Sequence, residues 1–531
     1  MSTLVSLFSA GLMAVSNASP DTLQLYDDLG DHHYEISTEN PLTQQYFDQG
    51  LRLTWAFNHA EAIRAFEEAA RLDPECAMCY WGIAYAYGPN INAPMDSTSG
   101  VAAWNAVQEA LARKDHASDR EDAFIDAIAE RYAEVPPVER AALDSAWADA
   151  ATAVAERYPD DLEAATVAAD ARMNLSPWNY WTPEGELRPG HDKTLAMLEG
   201  AIAADSTHPG ACHLFIHAVE AAEPERAVPC AERLAGLMPG AGHIVHMPAH
   251  IYIRVGRYDD AIQSNLHAVH QDETFIMDTG PTGIYPAFYY PHNYHFLSFA
   301  SMHAGQGERA LETAREAAAK MSHDLARAFG PEAARMLAHP HLTLIAFGRW
   351  DETLAEPMPP ADIPFAAGLA HYSRGVAHAA LEHPDEAQAE LDSVSRIATA
   401  FTEGWPATVM QIAIHSLSGD IAYRQGDYDG AIAHYEQARD LEDSLRYTEP
   451  AYWNRPIRRD LGAALLAAGR PAEAENAFAE DLGKFPDNGW SLFGIIQAFE
   501  AQGKAAEAEA ARERLRNAWE NADVTLTASR F

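Results

Sequence analysis

Small and aromatic residues recur along this chain in a fixed register. Gly50, Ala62, Phe66 and Pro74 are spaced as Gly462, Ala474, Phe478 and Pro486 are. Gly426, Tyr428, Ala431 and Tyr435 repeat part of the pattern, as do Gly256, Tyr258 and Ala261. Ala227, Leu234 and Pro239 mark another copy, and Gly503 with Ala508 starts a last one. Each copy is a supersecondary unit that cannot bury its apolar face alone, so neighbours must stack. Between the markers the chain reads as helix after helix, punctuated by Gly and Pro, without β-alternating runs. Apolar residues make up 48% of the 531, enough for a continuous core.

With Tyr46 and Leu53 added, the first copy resembles the tetratricopeptide repeat (TPR) pattern. The resemblance covers most of residues 40–520. It implies an all-α fold, a superhelical solenoid of helix-turn-helix units whose first helices line a concave groove. It is nearly silent on function, because fold does not fix function. Gly88–Gly100 and Gln271–Ala287 read as inserted loops, which in repeat proteins decorate functional faces. The expected organisation is a signal peptide over 1–18, an N-terminal arm over 19–41 and repeats over 42–200 with an insertion at 88–100. His-rich repeats follow over 201–340, further repeats over 341–520 and a tail over 521–531.

The chain has 24 histidines, and their placement carries the functional reading. On the TPR count, His243, His246 and His250 fall at groove positions of one unit, and His292, His295 and His303 in the next. His213, His217 and Glu220 follow a similar spacing one unit earlier. Separations of three, four and seven share one helical face. Three consecutive first helices therefore carry imidazole stripes that the resemblance brings onto one wall. Imidazole is the commonest metal ligand, and such helical pairs are a usual way to hold an ion. The expected metal set is His213, His217, His243, His246, His250, His292 and His295, with Glu220 as ligand or orienting partner. A donor set this rich in nitrogen suits Cu or Zn better than Fe. Pro248 interrupts the middle stripe: it either kinks a helix or opens one, and the second option weakens the face assignment of His243 and His246.

Arg254, His303, Tyr289, Tyr290 and Trp178 are the candidate substrate-binding residues beside that set. A bound ion activates water or dioxygen, or polarises a substrate, so a metal-dependent oxidoreductase or hydrolase is one reading. The groove is expected to take a small-molecule or peptide ligand; the rival readings are a non-enzymatic TPR scaffold holding a peptide or partner protein there, and a metal storage or delivery protein. Scaffolds that clamp peptides usually present Lys, Arg and Asn, whereas this groove presents imidazoles. A homodimer through terminal repeats is among the expected assemblies.

Lys+Arg is 37 and Asp+Glu 78, a net charge of −41 that repels phosphate backbones and argues against nucleic-acid binding. Leu4–Val15 is short and apolar and leads to Ser16-Asn17-Ala18, like a signal-peptide cleavage site without a basic start. That points to a periplasmic or secreted protein, the alternative being cytoplasmic. No later stretch is long and apolar enough to span a membrane. Cys76 and Cys79, and Cys212 and Cys230, are either disulfides or small core residues; four cysteines do not make a disulfide framework. His32 and His33 read as part of a solvated arm. The chain shows no phosphate-binding loop, dinucleotide-binding glycine pattern, H-E-x-x-H or G-x-S-x-G motif.

Overall fold

The computed structural model describes residues 23–531 except Thr282. The signal-peptide segment 1–18 lies outside the described residues. Among those described, the chain is all-helical, with two isolated bridges and no strand. Antiparallel helix pairs follow one another as in TPR arrays, for example Pro41–Trp55 with His59–Leu72, and Ile457–Ala467 with Pro471–Lys484. No helix among them is long and apolar enough to cross a membrane.

The marker residues explain the packing. Phe66 lies on the second helix of its pair, and its ring fills the space that a side chain on Gly50 or Gly82 would take. A Cβ at Gly50 would sit 2.7 Å from that ring, and one at Gly82 2.5 Å. Phe478 stands in the same relation to Gly462 and Gly494. One aromatic ring thus seats against the glycines of two successive first helices, which locks pair to pair. Helix starts are set locally: Asn40 accepts from the Leu42 amide, and Ser118 with Glu121 forms a capping box.

The described residues divide into two compact units, one within 23–251 and 270–285 and one of 252–269 and 286–531. In the first, the N-terminal arm is packed rather than solvated. Leu23, Leu29 and Ile36 are buried, and the Tyr46 hydroxyl donates to the Leu23 carbonyl at 2.5 Å. Both cysteine pairs are disulfides. Cys76–Cys79 closes the start of the Ala77–Tyr87 helix, and Cys212–Cys230 joins the Pro209–Val219 helix to Val228–Leu237.

Two expected loops are shorter than the sequence suggested. The insertion at 88–100 ends at Asp96, which caps a helix starting at Ser97. The second, Gln271–Ala287, is helical as far as Thr279, because nothing in Gln271–Thr279 breaks a helix before Gly280-Pro281.

Candidate metal centre

The first unit gathers six of the expected residues in one buried cluster. His213 and His217 lie one turn apart on the Pro209–Val219 helix, and Glu220 caps its C-terminal end. His243 and His246 lie on the short Gly242–His246 helix. Pro248 opens the next helix, Pro248–Arg254, which carries His250. The proline is therefore a helix start. The break at Met247 turns His243 and His246 inward although they do not share a straight helix with His250. All six residues are no more than 2% exposed.

Hydrogen bonds assign the imidazole tautomers. His213 Nδ1 donates to the Trp55 carbonyl at 2.6 Å. His217 Nδ1 lies 2.9 Å from Glu220 Oε1 and His250 Nδ1 2.6 Å from Glu220 Oε2, so one carboxylate accepts from two rings. With Nδ1 protonated, the lone pair of each ring sits on Nε2. The Nε2 atoms of His213 and His217 are buried, and neither has a hydrogen-bond partner among the described residues. One nitrogen each from His213, His217 and His243 lie within 4.8 Å of one another. The His250 Nε2 lone pair accepts from His246 Nε2 at 2.9 Å.

Burial keeps the rings of His213, His217 and His243 neutral. Burial, and next the charge His217 would carry, hold His213 well below the ordinary histidine value. Burial, and next His213, do the same for His243. Burial alone would raise the Glu220 carboxyl. The attraction of the neighbouring His250 and the hydrogen bonds from His217 and His250 outweigh it and bring the group to about 2. Neutral imidazoles braced by a carboxylate are the donor state a metal ion requires.

Aromatic walls surround the cluster. The Phe57 ring centroid is 4.4 Å from that of His213 and 5.4 Å from that of His243. Trp178 meets His217 edge-on at 5.0 Å, and its indole N–H donates to Asn92. Both residues hold positive φ, 55° and 63°, which is uncommon for a bulky side chain. The position of Phe57 is informative. The equivalent turn between paired helices is closed by Gly256, Gly305, Gly348, Gly426, Gly469 and Gly503, with φ between 66° and 80°, and once by Glu382 with φ 61°. Here an aromatic ring replaces the glycine despite the strain, and it faces the imidazoles.

The remaining expected residues belong to the second unit. His292 packs on Phe296 with ring centroids 4.8 Å apart. His295 meets His339 at 4.5 Å, and His339 in turn bonds Ser298. His303 accepts from Arg459 at 3.1 Å between the rings of Tyr258 and Phe485, which is core packing. Arg254 donates to the Lys484 carbonyl and lies over the Tyr447 ring. Tyr289 is buried, and Tyr290 packs on Tyr294.

Sequence reasoning missed the support of this centre. Trp55 holds His213 through its carbonyl while its indole N–H donates to Glu163 at 2.9 Å. Glu163 also accepts from His32 at 3.0 Å and meets His208 at 3.3 Å. His208 caps its helix, accepting the Ala211 amide at Nδ1, so its Nε2 carries the proton. The trio of His32, Glu163 and His208 is thus a closed hydrogen-bonded brace rather than a set of waiting lone pairs. It borders an open cavity of about 780 Å³ lined also by Tyr34, Arg120 and Asp161. The Tyr285 hydroxyl accepts the His243 amide and donates to Asp272. Phe57 was missed as well, although an aromatic at a turn where most copies of the register carry glycine was a signal that could have found it.

No protein-family model and no curated protein sequence matches the chain. Among solved structures it is similar to the APC/C hetero-tetramer Cut9–Hcn1 at 13% identity, over 90% of this chain and 74% of that one, with a TM-score of 0.30. It is similar to the human IFIT1 dimer with PPP-AAAA at 13% identity, over 88% of each chain, with a TM-score of 0.34. Yeast Tom70 matches at 13% identity, over 90% and 92%, with a TM-score of 0.27. Similarity at that level carries no chemistry over from them.

Proposed function

We propose that this helical-repeat protein binds a transition-metal ion through His213, His217 and His243, and that the ion is the centre of a metal-dependent reaction. One observation carries the reading. Two buried Nε2 lone pairs, on His213 and His217, have no partner among the described residues, while the opposite nitrogens of the same rings are fixed by Trp55 and Glu220. Leaving such acceptors unpaired in a core is costly, and an ion satisfies both at once. Three neutral imidazoles leave a coordination position open, the donor set of catalytic zinc sites and one that copper also accepts. Zinc or copper is the expected ion.

Bound there, the ion supplies Lewis acidity to a water or substrate oxygen. Glu220 orients His217 and His250, Phe57 and Trp178 exclude bulk water, and Trp55 fixes His213. A scaffold reading fits the helix array but gives no use for a buried imidazole cluster. The two disulfides support an oxidising compartment, in keeping with export.

The test is titration of the chelator-stripped full chain with Zn(II) and Cu(II) by calorimetry. The wild type takes up one of them near-stoichiometrically, His217→Ala loses that binding, and the exposed-site control His116→Ala keeps it. Failure of the wild type to bind either ion, or equal binding by His217→Ala, sinks the reading.

A further inference from the structure

The segment after the last helix of the second unit, Ala505–Ala518, packs along its repeats without regular secondary structure. From Asp523 to Ala528 exposure alternates, with Val524, Leu526 and Ala528 half-buried. Asp523 anchors one end, where its carboxylate accepts the Gly307 and Glu308 amides at 2.6 and 3.1 Å, at the start of the Gly307–Lys320 helix. Phe531 anchors the other. Its ring meets Trp490 at 5.5 Å and packs on Gly348, and Arg424 donates to its main-chain oxygen at 2.8 Å.

Between them Arg530 enters a buried polar cluster. Its guanidinium donates to Asp420, contacts Asp460 at 3.2 Å and the Tyr435 hydroxyl at 2.5 Å, and lies over the Tyr423 ring. Asp420 and Asp460 are each 1% exposed. Among the repeats' own arginines Arg455 bonds the pair directly, to Asp460 at 2.6 Å and to the Tyr372 hydroxyl at 3.1 Å, while Arg424 lies near Asp420 without forming an ion pair with it. Arg455 takes Asp460, and the close ion pair of the second buried carboxylate, Asp420, comes from the segment's arginine. A repeat array that needs only hydrophobic packing has no reason to bury a second carboxylate for a guanidinium borrowed from an irregular segment.

We propose that Asp523–Phe531 is a detachable strap, a tethered ligand in an arginine-recognising groove of the second unit, and that the groove's exchangeable occupant is an extended partner peptide presenting arginine followed by an aromatic residue. The specificity lies in the Asp420–Asp460 pair for the guanidinium and in the Trp490–Gly348 seat for the ring. This inference is independent of the metal centre and uses none of its residues.

The test places a protease site between Asn521 and Ala522 in the full chain, so that the strap is cut only after folding. A fluorescently labelled peptide of residues 523–531 is then added and followed by anisotropy. The cut protein exchanges its strap for the labelled peptide. The uncut protein binds the peptide about tenfold more weakly or less, because the tethered strap competes. A peptide with Arg530→Ala, or a cut protein with Asp420→Asn, loses about tenfold or more in affinity. Three outcomes overturn the proposal: no exchange after cutting, equal binding of the Arg530→Ala peptide, or melting of the helices on cutting, which makes the segment a permanent part of the fold.

Discussion

At the scale of single residues, the centre depends on which nitrogen of each ring carries the proton. Glu220 decides that for two rings at once, accepting from His217 and His250. Glu220→Gln keeps the shape but exchanges an acceptor for a donor, so one ring must turn or change tautomer. Metal affinity is expected to fall about 10–100-fold with the far-UV spectrum unchanged, as read by competition with a chelator. An unchanged affinity would show that the carboxylate does not set the donors. Phe57 poses a different balance. Glycine at this turn would relieve about 1–2 kcal/mol of left-handed strain. Losing a buried phenyl ring costs about 3–5 kcal/mol. The ring wins, so Phe57→Gly should destabilise the first unit by about 1–4 kcal/mol in a thermal melt. A stabilised variant would mean that the ring is not packed as described.

At the scale of elements, the fold rests on glycine–aromatic contacts repeated along the chain. Gly50→Ala brings a Cβ to 2.7 Å from Phe66, and overpacking of this kind costs about 1–3 kcal/mol. Phe66→Leu in the same chain should recover part of the lost stability. Absence of any recovery would place the cause elsewhere. These contacts were legible in the sequence because small and aromatic markers keep one spacing. The imidazole rows were legible for the same reason: helical spacing puts His213 and His217 on one face. What stayed hidden depends on contacts far apart in sequence. Nothing local announces that Trp55 holds His213, or that Glu163 meets His32 and His208. The helix start at Pro248 was one of two readings, since a proline after two histidines fits a kink or a first turn equally. The length of the Tyr258–Thr279 helix was misjudged, because a run with few apolar markers looks like a loop.

At the scale of the whole molecule, a chain of net charge −41 keeps its ionised core groups by bracing them individually. Glu163 is the acid-sensitive case. Burial raises its carboxyl, but hydrogen bonds from His208 and His32 outweigh it and hold the group at about 2 against an ordinary 4.5. A carboxyl depressed in the folded state adds stability above its unfolded value and loses it as pH falls toward the folded one. The urea midpoint of the wild type should therefore drop between pH 4.5 and 2 more steeply than that of Glu163→Gln; parallel curves would contradict the brace. The measurement that tests the central claim most directly is the metal content of the untagged, natively purified protein by plasma mass spectrometry, beside a His213→Ala/His217→Ala variant. The account predicts near-stoichiometric zinc or copper that disappears in the variant. A folded wild type that carries no transition metal, natively or after reconstitution, would contradict it.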